Sequence, residues 1–179
     1  FRTMNRREML KATGTLLAGA TLFGAEAFAA EPSSTTKPKK ALVIGAHPDD
    51  PENVGGTMLL LREAGWEVVA VYMTRGEGGI AGKSHAEAAA IRMEEALEAC
   101  RILDVYPIFL TQIDGNCEIN KKRYKEMREV IEIEQPDLVI THWPIDSHPD
   151  HRVCSMLVYD AWRRLGYSFE LYYFETMTG

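Results

Sequence analysis

Residues 41–46 read Ala41-Leu42-Val43-Ile44-Gly45-Ala46, and residues 47–52 read His47-Pro48-Asp49-Asp50-Pro51-Glu52. The first six are continuously apolar, as expected of a strand covered on both faces. The next six turn abruptly to imidazole and carboxylate, so the reactive side chains gather at the strand's carboxyl end.

Outward from this stretch, strand and helix patterns alternate. Gly56 to Ala64 carries Met58, Leu59 and Leu61 with Arg62 and Glu63 outward, a helix that ends at Gly65. Trp66–Met73 reads as a second strand, Thr74–Lys83 as a glycine-rich loop, and Ser84–Leu103 as a helix. Tyr106–Leu110 is a short third strand, Lys121–Glu134 a charged amphipathic helix, and Leu138–Thr141 a fourth strand. His151–Leu165 and Phe169–Phe174 supply the last helix and strand. Such alternation predicts an α/β fold: a Rossmann-like three-layer sandwich around a mainly parallel sheet, joined by right-handed crossovers, with expected strand order 3-2-1-4-5. Ligands of such sheets bind beyond the strands' carboxyl ends, where the winding reverses.

A second cluster, His148-Pro149-Asp150-His151, follows the fourth strand. Helix entry explains part of each cluster. Asp50 can cap, with Pro51 at the first helical position; Ser147 can cap the last helix, with Pro149 at its start. Capping leaves His47, Asp49 and two histidines without a role, and adjacent carboxylates repel unless a cation or proton offsets them. The pair of clusters therefore points to a divalent metal, zinc by default or another divalent ion, in a hydrolytic site with an open position. The expected ligands are His47, Asp50 and His151. Asp49 is the expected base, His148 the oxyanion partner or acid, and Asp150 the carboxylate that holds the His148 ring. Asp146 can orient a ligand or terminate the strand, the structural reading being favoured, and His142 lies beside it. His85 reads as solvated, and Arg92 with Glu95 as a surface pair. Thr74-Arg75-Gly76-Glu77-Gly78-Gly79 lacks the lysine-serine ending of a phosphate loop. His47 to Glu52 occupies the turn that a dinucleotide-binding glycine motif would need.

The first 29 residues read as a twin-arginine export signal: Asn5-Arg6-Arg7 to Lys11, an apolar segment from Ala12 to Phe23, and Ala27-Phe28-Ala29 as cleavage site. The apolar run is too short for a stable membrane anchor. The expected route is the Tat translocase, and the expected destination periplasmic or extracellular. Residues 30–40 read as a solvated linker and residues 41–179 as the catalytic domain, expected to lack a carboxyl-terminal part. Without Arg2, Arg6, Arg7, Lys11, Glu8 and Glu26 of the signal, the formal charge moves from −6 to −8. An acidic domain without a basic stripe excludes nucleic acid as a partner. Cys100, Cys117 and Cys154 show neither disulfide nor thiolate-metal spacing.

These motifs resemble the PIG-L/LmbE-like N-acetylglucosaminyl deacetylases. The matching pieces are Ala46 to Glu52, Gly55-Gly56-Thr57, Thr74 to Glu77, Arg92 to Ala96, and Asp146 to His151. The resemblance implies zinc held by His47, Asp50 and His151, with Asp49 as base and His148 backed by Asp150 at the tetrahedral intermediate. It also implies substrate contacts for Arg92, against the surface reading, and for Asp114, which aligns loosely. The implied reaction is zinc-dependent removal of the acetyl group from an N-acetylglucosamine-type sugar or conjugate. Hydrolysis of another small amide and a non-catalytic metal- or sugar-binding domain are the alternatives.

Overall fold

A computed structural model describes residues 37–176; the expected signal segment and the first part of the linker lie outside them. The strands are β1 (Lys40–Gly45), β2 (Glu67–Tyr72), β3 (Tyr106–Phe109), β4 (Leu138–His142) and β5 (Glu170–Phe174). Four helices connect them: α1 (Gly55–Glu63), α2 (His85–Leu103), α3 (Lys121–Glu134) and α4 (Pro149–Arg164), with a 3-10 turn at Pro51–Val54. Lys40, read as linker, already belongs to β1, where its ammonium reaches Glu134 at 2.9 Å.

The sheet order is β3-β2-β1-β4-β5, and every neighbouring pair is parallel. Period-two alternation sorts the β1 side chains to two faces. Leu42 and Ile44 pack with Val69, Val71, Val139, Met127 of α3 and Leu157 of α4. Ala41 and Val43 pack with Val68, Ala70, Met58 of α1 and Cys100 of α2. With helices burying both faces, β1 has no solvent side, which is why its sequence does not alternate.

Local chemistry fixes the helix ends. Ser84 Oγ accepts from the Glu87 N–H at 3.3 Å while Glu87 Oε2 accepts from the Ser84 N–H at 3.0 Å, a reciprocal capping box that starts α2. Asn120 accepts from the Arg123 N–H at 3.1 Å and starts α3.

The register decides where the site lies. Ile44 pairs with Thr141 across β1 and β4, so the residues that leave these two strands emerge side by side. The chain turns sharply after Gly45: a Cβ there would lie 2.6 Å from both Asp50 Cβ and Pro51 Cδ. Gly45→Ala is therefore expected to destabilise the fold by about 1–3 kcal/mol, the usual cost of overpacking. A urea melt checks this, and an unchanged midpoint would show that the turn can give way.

Candidate metal centre and its cavity

Asp50 is the hub. Its carboxylate turns back and accepts from the His47 N–H at 2.7 Å, so it caps no helix, contrary to one sequence expectation. The same carboxylate lies 3.2 Å from His47 Nδ1, 3.4 Å from His151 Nε2 and 3.2 Å from His142 Nε2. Burial opposes its charge, but the His142 and His47 rings beside it and nearby imidazole charge outweigh that and hold its pKa far below the usual carboxylate range.

The β4–α4 loop brings in the second cluster. Asp146 Oδ1 accepts from the His148 N–H at 2.8 Å and stands 3.1 Å from His151 Nδ1, while Thr176 Oγ1 donates to Asp146 Oδ2 at 2.9 Å. A carboxylate on Nδ1 leaves His151 Nε2 free to face Asp50, so Asp146 sits where it can orient that ring. Burial, the largest influence, lowers the His151 pKa despite Asp50.

Two further expectations need correction. Ser147 does not cap α4; His148 does, its Nδ1 accepting from the Asp150 N–H at 3.2 Å. Asp150 does not hold the His148 ring. Its carboxylate faces His47 Nε2 at 3.1 Å and accepts from the Gly115 N–H at 2.8 Å, because side chains two apart at a helix start diverge. His142 is fully buried in the site, stacked on His151 with ring centroids 3.9 Å apart. Its Nε2 accepts from the Ala46 N–H at 3.0 Å and faces Asp50 Oδ2 at 3.2 Å.

Beyond the hub lies a cavity of about 320 Å³, lined by His47, Asp49, Gly76, Gly78, Gly79, Arg92, Asp114 and His148. That is the small end of ligand sites, on the order of 300–1,000 Å³, and suits a single sugar ring better than a buried chain. Asp49 holds φ at 115°, a backbone conformation nearly reserved for glycine. Arg92 bonds both the Pro48 carbonyl and the Asp49 carboxylate, and meets Glu95 at 3.1 Å. The expected surface pair with Glu95 thus exists, but the same guanidinium clamps the strained turn. Asp114 Oδ1 stands 3.1 Å from His47 Nε2. His85 is exposed, as expected.

Do these residues fit a zinc ion? Zinc–ligand bonds of about 2.0–2.1 Å at tetrahedral angles put neighbouring donor atoms about 3.3–3.4 Å apart. His47 Nδ1 and His151 Nε2 are 3.3 Å apart; His47 Nδ1 is 3.2 Å from Asp50 Oδ2, and His151 Nε2 is 3.4 Å from the other oxygen, Oδ1. The spacing and the donor set both fit. Asp50, His142 and His151 also cluster, but the Ala46 N–H competes for His142.

Metal uptake should displace a proton. Burial alone would lower the His47 pKa, but hydrogen bonds to Asp114, Asp150 and Asp50, with the Asp50 charge, push it up to about 11. At neutral pH the metal-free ring is therefore protonated, and a zinc ion held by Nδ1 would take the place of its proton. Calorimetric titration with zinc in buffers of different ionisation enthalpy is expected to show close to one proton released per ion. Release of none would contradict this charge state.

Comparison with known proteins places this geometry in context. The family profile described as PIG-L: GlcNAc-PI de-N-acetylase matches residues 42–162. The Uncharacterized deacetylase YaiS of Escherichia coli (strain K12) is 31% identical over 137 residues, 72% of this chain and 69% of its own length. Among solved structures, the N,N'-diacetylchitobiose deacetylase from Pyrococcus horikoshii, complexed with its inhibitor MPG, superposes with a TM-score of 0.66 at 35% identity. That match covers 71% of this chain and 50% of the other, so the present chain spans about half the length of that relative. GalB, the 4-carboxy-2-hydroxymuconate hydratase from Pseudomonas putida KT2440, gives a TM-score of 0.64 at 28% identity, covering 69% of this chain and 55% of that one.

Proposed function

Because the chain belongs to the PIG-L family of de-N-acetylases, we propose that it is a divalent-metal-dependent hydrolase that removes the acetyl group from an N-acetylglucosamine-type sugar or its conjugate. The observation that carries this reading is the triangle of His47, Asp50 and His151 donors beside a cavity that also holds Asp49, Arg92 and His148. Zinc, when bound by that triangle, supplies a Lewis acid and makes a nearby water easier to deprotonate.

The chain's own groups do the rest. Asp49 takes a proton from the attacking water, whose oxygen bonds to the acetyl carbon. Arg92 holds that carboxylate in place. His148 has its Nδ1 engaged by the Asp150 N–H, which leaves Nε2 as the N–H donor for the developing oxyanion. The C–N bond then breaks, the amine leaves with the proton that Asp49 took from the water, and acetate remains. A domain that only binds metal or sugar would have no use for a strained, cavity-facing aspartate beside the ion triangle.

The hydratase likeness raises a second reading, addition of water to an unsaturated carboxylate. It fits less well: a carboxylated muconate carries several negative charges, and this cavity presents Asp49 and Asp114 against one guanidinium that Asp49 already engages. Measuring acetate and primary amine released from N-acetylglucosamine, N,N'-diacetylchitobiose and related conjugates, with and without chelator, tests the proposal. Acetate release that stops with chelator and returns with zinc is expected; no release from any N-acetyl sugar by zinc-loaded protein would count against it. The twin-arginine pattern of the first 29 residues supports export, and cell fractionation with the arginines changed to lysine tests that part. Among the described residues no helix is long and apolar enough to cross a membrane.

A further inference from the structure

We propose that Asp114 is a positioning residue for His47, a tie between the glycine-rich wall of the cavity and the metal triangle, and not simply a contact for substrate. This rests on the metal-site reading above. Both carboxylate oxygens of Asp114 are engaged within the protein. Oδ1 stands 3.1 Å from His47 Nε2, and Oδ2 accepts from the Gly78 N–H at 3.1 Å. The backbone is pinned as well: the Asp114 N–H donates to Glu77 Oε2 at 3.2 Å, the same oxygen that accepts from the Arg75 N–H.

The next residue completes the arrangement. Gly115, at φ 77°, donates its N–H to Asp150 Oδ2 at 2.8 Å, and Asp150 is the other carboxylate on His47 Nε2. Buried Gln112 closes the base of this loop. Its amide oxygen accepts from the Glu118 N–H at 2.7 Å, and its amide nitrogen donates to the Glu118 carbonyl at 3.2 Å. A loop of no apolar pattern is thus fastened at both ends so that two anionic groups meet one imidazole nitrogen.

The chemical consequence concerns the His47 tautomer. Carboxylates at Nε2 keep the proton there, so that once the Nδ1 proton is displaced the lone pair faces Asp50 and His151 and that nitrogen is a stronger donor. Asp150 alone shares its oxygen with Gly115, so Asp114 supplies the partner that has no other donor on Oδ1. Ligand that presses on Gly78 also presses, through Asp114, on a metal ligand.

Equilibrium zinc titration against a competing chelator tests this without substrate. Asp114→Ala is expected to weaken zinc binding by about 10–100-fold, the usual loss for such a partner. Asp114→Asn, which keeps the volume and one acceptor, is expected to lose less and serves if the alanine variant fails to fold. Long-range 1H–15N spectra of the zinc-loaded protein should show His47 protonated on Nε2 in the wild type and a shifted Nε2–H resonance in Asp114→Asn. Zinc affinity within twofold of wild type in both variants, whatever happens to KM, overturns the proposal and leaves Asp114 as a substrate contact. A wild-type chain that binds zinc but releases no acetate overturns the deacetylase reading alone.

Discussion

Asp49→Ala is expected to lower kcat by about 10²–10⁴-fold, the range that a positioned general base contributes, while zinc affinity changes little. Asp49 is not in the donor triangle, so its loss should not empty the site. Steady-state acetate release with a parallel zinc titration checks both halves, and an alanine variant with wild-type kcat would remove Asp49 from the role of base. The backbone supplies a second, opposite signature. Holding a non-glycine residue at φ 115° costs about 1–3 kcal/mol. Asp49→Gly relieves that strain, less the small worth of the exposed Arg92 pair. The glycine variant should therefore be inactive yet unfold at higher temperature than Asp49→Ala. Equal melting temperatures would show that the turn is not strained in solution.

The second large effect is expected at Asp50. It faces His47, His142 and His151 together, so Asp50→Ala removes the proposed ligand and the group that the three rings share. Zinc binding should fall by far more than the about 10–100-fold typical of an outer partner, and turnover with it. Asp50→Asn keeps the shape but not the charge, and should restore the fold without restoring tight binding. Retention of tight zinc by Asp50→Ala would mean that the ion sits elsewhere, for instance among His47, His148 and His151.

Much of this was legible before any coordinates. The unbroken apolar run of β1 announced a strand buried on both faces, and the alternation around it announced the parallel order that sets β1 beside β4. From there the meeting of His47, Asp50 and His151 follows from topology, since both motifs leave adjacent strands at one level. What stayed hidden has a common cause. His142 closes an apolar strand, and only its register against Ala46 shows that its ring enters the site. Asp150 was assigned to its sequence neighbour His148, whereas a helix start turns the two apart and hands Asp150 to a residue 103 positions away. Asp114 and Gly115 sit in a loop without periodicity, so nothing in the local pattern announced their approach to His47. The contact of Asp146 with Thr176 is equally invisible locally, because Thr176 lies after the last strand.

The central claim is that two motifs from opposite ends of the domain hold one cation. Diffraction from zinc-soaked crystals, with data collected on both sides of the zinc absorption edge, tests it most directly. The account predicts one anomalous peak within about 2.0–2.2 Å of His47 Nδ1, an Asp50 oxygen and His151 Nε2. A peak bonded to His142 instead of His47, or none near Asp50, would contradict it.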